Sequence, residues 1–274
     1  MELNVIAYAH NGHSDKFGIP RQSRDESPIL TRIVFEPEYS VPEAFRGIEG
    51  FSHLWLIWGF GNVQRDNVQG TKEINGQRDD VQCTKEGLSW SPTVRPPRLG
   101  GNKRMGVFAT RSPFRPNALG MSSVKLIRVN PSPALPSREG EKEQGTKGSI
   151  ELIVSGADLL DGTPIYDIKP YLRYSDSHPD AVDGFAAATE NYRLQVIYDE
   201  LLMTGDASLM THDHSPVTHV PEDLLRDIEY ILSQDPRPAY QDDPTREYRM
   251  DYGGWRVTFC VGNGAVCIKN IEKI

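Results

Sequence analysis

The sequence predicts a mainly β N-terminal part, built as a barrel or a sandwich, followed by a small α+β unit. Three observations carry this. Six or seven short runs rich in β-branched and aromatic residues fill the first 175 positions, separated by Gly and Pro turns. Helical periodicity is almost absent there. After Pro179 the pattern changes, with apolar residues at helical spacing and a closing hairpin signature.

Taken in order, Leu3 to Ala9 reads as the first strand. Ile29 to Phe35 alternates Ile29, Thr31, Ile33 and Phe35 against Leu30, Arg32 and Val34. Phe51 to Phe60 is almost continuously apolar, which predicts a strand buried on both faces. Met105 to Thr110, Ser122 to Val129, Ser149 to Val154 and Ile165 to Ile168 complete the set. Two polar stretches read as loop insertions, near 67–86 and 131–147. The first contains a near-duplication, Asn-Val-Gln-Gly-Thr-Lys-Glu beside Asp-Val-Gln-Cys-Thr-Lys-Glu.

In the second part, Tyr192, Val196, Ile197 and Leu201 predict a helix over Ala186 to Leu202. Pro221 opens another, with Glu222 and Asp223 at the positive end of its dipole and Leu224, Leu225, Ile228, Ile231 and Leu232 on one face. Trp255 to Val261 and Ala265 to Ile271 alternate about Asn263-Gly264, a type I′ turn that sets Val261 opposite Val266 and Cys260 opposite Cys267. Trp255 and Phe259 share a face and read as core. The expected division is 1–179 and 180–274.

At 274 residues and 38% hydrophobic composition, the chain has material for a sizeable core. It holds no run of 18 apolar residues, and its start lacks a basic region, so neither a membrane span nor a secretion signal is expected. Three cysteines make no disulfide framework, which suits a reducing cytoplasm.

Charge is unevenly placed. From Gly87 to Arg138, 52 residues carry nine Lys or Arg and no Asp or Glu, which leaves −17 for the rest of a chain of net charge −8. Guanidinium groups alternate there with Gly and Pro, as in a rigid loop that brings forked donors and backbone amides to an anion. The plainer reading is a solvated basic loop, which has no need of so restricted a backbone. Ser175 to Asp251 is the reverse, with 17 acidic residues against five Arg. That segment is a poor track for a nucleic-acid backbone.

The basic window also carries motifs. Arg95-Pro-Pro-Arg-Leu-Gly-Gly-Asn, Met105-Gly-Val-Phe-Ala-Thr-Arg-Ser, Phe114-Arg-Pro-Asn and Gly120-Met resemble the TsaA-like family, most closely its TrmO branch of tRNA N6-methyltransferases. The resemblance continues at Gly50-Phe-Ser-His-Leu-Trp, Asp158-Leu-Leu-Asp-Gly-Thr-Pro, Asp167-Ile-Lys-Pro-Tyr, Gln234-Asp-Pro-Arg-Pro-Ala-Tyr and Trp255-Arg-Val. It implies an antiparallel β-barrel, a homodimer with the cofactor near its interface, and S-adenosyl-L-methionine as cofactor. It further implies, as substrate, N6 of threonylcarbamoyladenosine beside the anticodon of tRNA. No strand here is followed by the G-x-G-x-x-G of a Rossmann site, which agrees.

Carried over by position, the resemblance assigns the cofactor to Arg111, to Met121, to Ser155, Gly156, Ala157 and Asp158, and to Gly61 and Asn62. The loop after Gln22 supplies Ser23, Arg24 and Asp25, where relatives often have small or apolar residues. A methylsulfonium donor has a carboxylate for a bidentate arginine and a positive centre for an acid such as Asp158. Arg95, Arg98, Lys103, Arg104 and Arg115 are expected at phosphates of the tRNA anticodon stem-loop or at the threonylcarbamoyl carboxylate. The acceptor of the N6 proton stays open between Asp161, His53 and water. Asp161 reads equally as turn chemistry, and His53 as a satisfied strand residue; Ser52 is expected on the opposite face from it.

No metal is expected, since His212, His214 and His219 lie in a polar linker without Cys. Two other readings remain at this point: a non-catalytic tRNA-binding barrel, or methylation of a small molecule or protein.

Overall fold

The computed structural model describes residues 3–15, 17–20, 22–60, 83–84, 87–88, 90–96, 103–131, 150–189, 192–199, 220–237 and 243–274. Its strands, in chain order, are β1 (Ala7–His10), β2 (Leu30–Phe35), β3 (His53–Gly59), β4 (Cys83–Thr84), β5 (Gly87–Leu88), β6 (Thr93–Val94) and β7 (Met105–Gly106). They continue as β8 (Leu119–Pro131), β9 (Ile150–Ser155), β10 (Pro164–Pro170), β11 (Gln195–Tyr198), β12 (Tyr248–Tyr252), β13 (Trp255–Gly262) and β14 (Ala265–Lys273). A short helix α1 (Arg173–Asp176) follows the barrel, and α2 (Glu222–Ser233) lies in the second part.

Six antiparallel strands close a barrel in the order β1-β10-β3-β8-β9-β2. Closure leaves no free sheet edge. Period-two alternation decides which side chains fill it. Ile33 and Phe35 point inward from β2, Leu54, Leu56 and Trp58 from β3, Val124 from β8, and Leu152 and Val154 from β9. From His53 to Trp58 the strand is therefore buried on alternate residues rather than on both faces, and His53, Trp55 and Ile57 are half-buried on the outer wall. Trp55 and His53 lean on the Tyr171 ring there, which explains why the outward set is also aromatic. The strand expected over Met105 to Thr110 is cut to two residues, because Val107–Ala109 turns into a 3-10 helix.

The second part is a four-stranded sheet in the order β11-β14-β13-β12, with α2 packed on it through Ile228, Ile231 and Leu232. The turn matches its sequence signature: Asn263 and Gly264 both have positive φ (53° and 76°), and Cys260 pairs with Cys267. The helix expected over Ala186 to Leu202 does not form among its described residues, 186–189 and 192–199. Gly184–Thr189 is a 3-10 helix, and Gln195–Tyr198 is β11, parallel to β14. Val196 and Ile197 are β-branched, and pairing with β14 overrides a helical pattern of only four apolar residues. The insertion near 67–86, apart from Cys83–Thr84, and all of 132–147 lie outside the described residues, as do His212, His214 and His219.

The β1–β2 connection belongs to both parts. Ile29 is fully buried in the core of the second sheet, Phe17 stacks near Tyr248 and Phe259, and His13 forms a bridge with Tyr252. His13 lies edge-on to the Tyr252 ring, and its Nε2 has no partner among the described residues. Burial pushes its imidazole down to about 4.

A group whose folded-state pKa is depressed below its unfolded value near 6.5 binds its proton more readily in the unfolded chain. Its stabilising contribution is complete above pH 6.5 and is lost as pH falls toward about 4. We expect wild-type protein to lose about 3 kcal/mol through this group over that interval. In His13→Gln that share of the loss should vanish in urea titrations run at pH 7 and pH 4. An equal acid loss in both proteins would place the titrating group elsewhere.

Candidate functional site

The site forms where the β1–β2 connection crosses the end of the barrel. Five consecutive residues, Gln22 to Glu26, are tied to four other segments of the chain. Gln22 accepts a hydrogen bond from Arg111 Nη1. The Ser23 amide donates to Asp158. The Arg24 amide donates to the Gly156 carbonyl (3.2 Å). Asp25 meets His53 Nε2 at 3.1 Å. Glu26 takes Arg24 (3.3 Å) and Arg193 (2.9 Å), reaching into the second part.

Gly156 explains how two backbones come so close. Its φ is +83°, and a Cβ there would stand 2.6 Å from the Arg24 carbonyl oxygen. Glycine alone combines that dihedral with that approach. The chain then turns inward: Ala157 and Leu159 join the barrel core, and Asp158 between them meets the Ser122 hydroxyl. Ser122 in turn accepts from Trp58 Nε1 (2.9 Å). Burial raises the Asp158 carboxyl above its ordinary value, while the Ser122 hydroxyl, the Arg111 charge and the Ser23 amide pull it back. A partly desolvated acid beside one arginine offers complementary charge to both ends of a zwitterion.

The structure thus brings Ser23, Arg24, Gly156 and Asp158 together with Arg111, and Ser155 and Ala157 flank them. Arg24 directs its guanidinium to Glu26, so its backbone is what meets Gly156. Met121 stands apart, on the outer wall of β8 at 57% exposure and opposite in phase to buried Ser122. Gly61 and Asn62 lie outside the described residues. Ser122 and Trp58 escaped the sequence reading, yet a serine on the inward phase of an apolar strand was the available signal. Gln22 carried no signal beyond its place before the loop.

His53 is more connected than a lone strand histidine. Ser52 precedes β3 and is free of its alternation, so its Oγ meets His53 Nδ1 at 2.8 Å, contrary to the expectation of opposite faces. Ser52, His53 and Asp25 form one hydrogen-bonded chain. Asp161 is engaged otherwise: its carboxylate accepts the Asn11 amide (3.1 Å) and faces His10 Nδ1 (3.3 Å). That is the work of a turn anchor.

The basic window forms a ribbon. β6 and β7 pair Val94 with Met105, which sets exposed Arg95 beside exposed Arg104, with exposed Lys103 next along. Arg98 lies outside the described residues. Arg115 turns inward, its Nη1 donating to the carbonyls of Val107 (3.2 Å) and Thr110 (2.7 Å). It clasps the loop and has little left for a phosphate. Among the described residues no group of His, Cys, Asp or Glu could hold a metal ion, and no helix is long and apolar enough to cross a membrane.

Comparison with known proteins covers almost the whole chain. Residues 8–177 match the family model of the tRNA-methyltransferase O N-terminal domain, and residues 194–274 match that of the TrmO C-terminal domain. A tRNA (adenine(37)-N6)-methyltransferase of Eikenella corrodens is 41% identical, over 82% of this chain and 98% of its own length. Its namesake in Escherichia coli K12 is 35% identical over 94% and 93%. The "Putative S-adenosylmethionine-dependent methyltransferase RcsF" of Pseudomonas aeruginosa is 36% identical over 90% and 86%. The crystal structure of TrmO from Pseudomonas aeruginosa superposes with a TM-score of 0.64 at 25% identity, covering 99% of this chain and 98% of that one.

Proposed function

The chain belongs to the tRNA-methyltransferase O family, and from that premise we infer that it methylates N6 of adenine 37 in tRNA with S-adenosylmethionine as donor. The form of the base we propose is threonylcarbamoyladenosine. The observation that carries the reading is the convergence of the 22–26 loop, Gly156, Asp158 and Arg111 beside an acid-free basic ribbon.

The residues present fit the donor. S-adenosylmethionine supplies an electrophilic methyl group on a sulfonium, with an amino-acid tail and an adenosine. Arg111 offers a forked cation for the tail carboxylate. Asp158 sets negative charge where a sulfonium or ammonium gains from it, in surroundings drier than bulk water. Gly156 lets the 22–26 loop pack against the 155–158 segment and so sets the spacing of Asp158 and Arg111. Ser23, Arg24, Asp25, Ser155 and Ala157 hold that frame in shape, and we assign Gly61 and Asn62 to the donor on the family resemblance alone.

Methyl transfer replaces the N6 proton, so a proton must leave, and positioning supplies most of the remaining catalysis. We favour the Ser52–His53–Asp25 chain as its acceptor over Asp161, whose carboxylate is already taken by Asn11 and His10. Arg95, Arg98, Lys103 and Arg104 position the anticodon stem-loop, and Arg115 serves them by bracing the loop. We read the chain as two units, 1–179 and 180–274, working as a cytoplasmic homodimer without metal. The exposed apolar Met121 and Ile127 of β8 suit a subunit contact.

The test incubates the protein with labelled donor and tRNA, with and without the threonylcarbamoyl group, and analyses the released nucleosides by mass. The expected product is N6-methylated threonylcarbamoyladenosine. Methyl label on neither RNA overturns the reading and favours a non-catalytic binder or another acceptor.

A further inference from the structure

We propose that Phe108 is a stacking platform for an unpaired base of the anticodon loop, a role that rests on the tRNA reading above. Phe108 is 73% exposed, among the most exposed large apolar side chains of the described residues. A solitary surface phenylalanine is ordinary. This one has three features that a solitary ring lacks.

Its setting is electropositive. It lies within the 52-residue stretch free of Asp and Glu, directly after β7, whose ribbon displays Arg95, Lys103 and Arg104. An RNA loop drawn to that ribbon meets the ring without an acidic neighbour in sequence to repel it.

Its geometry is fixed before any ligand arrives. Phe108 sits in a 3-10 turn held from both sides: the Val107 amide donates to Pro92, and Arg115 bonds the carbonyls of Val107 and Thr110. A ring on such a turn loses little freedom when a base stacks on it.

One ring face is already engaged. The Arg115 guanidinium lies 5.7 Å from the ring centroid, and the rest of the ring is open. Cation, ring and base then form a stack of three, the mode by which single-stranded RNA bases are held on aromatic side chains. The place is apt as well, since Arg111, three residues on, reaches Gln22 and Asp158. A base held by Phe108 is therefore one short loop away from the proposed donor site.

The alternative occupant is a second copy of this chain, which would bury the ring against protein. Charge separates the two. An RNA loop presents dense phosphate charge and an unstacked base together, which suits a ring set in a basic ribbon; the sedimentation arm of the test reads a second copy.

The experiment measures binding of a synthetic tRNA anticodon stem-loop to wild type, Phe108→Ala, Phe108→Leu and Phe108→Trp across a salt series, with sedimentation for oligomeric state. Phe108→Ala is expected to weaken binding about 5- to 100-fold, with the salt slope unchanged because no phosphate contact is lost. Leu should stay weak and Trp should restore affinity, a difference that apolar bulk alone would not produce. Affinity within about twofold of wild type for Ala, or a change of oligomeric state, overturns the inference. Failure of wild type to bind the stem-loop overturns the tRNA reading itself, and so is told apart from failure of Phe108 alone.

Discussion

Arg111→Ala should weaken methyl-donor binding about 30- to 150-fold, the equivalent of 2–3 kcal/mol for a forked charge contact. The effect has two sources. The guanidinium is lost as a ligand for the donor carboxylate, and its charge no longer restrains the buried Asp158. Burial already raises that carboxyl, and Arg111 opposes the rise. Without it, Asp158 takes up its proton at a higher pH, so donor binding in the variant should fail at a less acid pH than in wild type. Calorimetry from pH 5 to 8 reads both. Affinity unchanged at every pH would remove Arg111 from the site, and a lower affinity with an unmoved acid limb would separate Arg111 from Asp158. Stem-loop binding should be nearly untouched, since Arg111 faces Gln22 and the barrel end.

Lys103→Ala with Arg104→Ala should produce the complementary loss. Both side chains are exposed at the end of the β6–β7 ribbon, so their removal leaves the fold intact. We expect tRNA affinity to drop roughly tenfold or more at low salt, and the log–log salt slope to fall by roughly 1.4–1.8, at 0.7–0.9 per phosphate contact. Donor binding should stay near normal. Arg246→Ala with Arg249→Ala is the matched control in the acidic part of the chain. Asp243, Glu247 and Asp251 surround that pair in sequence, and Arg246 covers the Tyr248 ring at 5.5 Å. Equal losses from the two pairs would move the RNA surface off the ribbon.

Much of this was legible from residues alone, and the illegible parts share a cause. The strand around Ile33 follows local alternation and Asn263-Gly264 dictates its own turn, so both were readable, while the strand around Leu54 was readable as a strand but not for its half-buried outer face. The motif positions Arg111, Gly156 and Asp158, named from sequence, lie together in the fold. What escaped were partnerships across long stretches of sequence. Asp25 with His53, Ser122 with Asp158 and Glu26 with Arg193 are invisible to any local window. Arg115 shows the converse: a cation in a basic run looks like a phosphate ligand until the fold lends it two carbonyls. β11 failed for the same reason, since its conformation is decided by β14, some 70 residues away.

Ile29 and Phe17 sit in the second core, at either side of the 22–26 loop. A barrel inherited without its C-terminal partner would expose both to water exactly where its loop must keep shape. Recombination between relatives at the boundary near residue 180 would then mismatch a core whose two halves are encoded some 200 residues apart. The loop and the sheet beneath it share one core, so a graft that moves the barrel alone has to carry a new floor for residues 17–29.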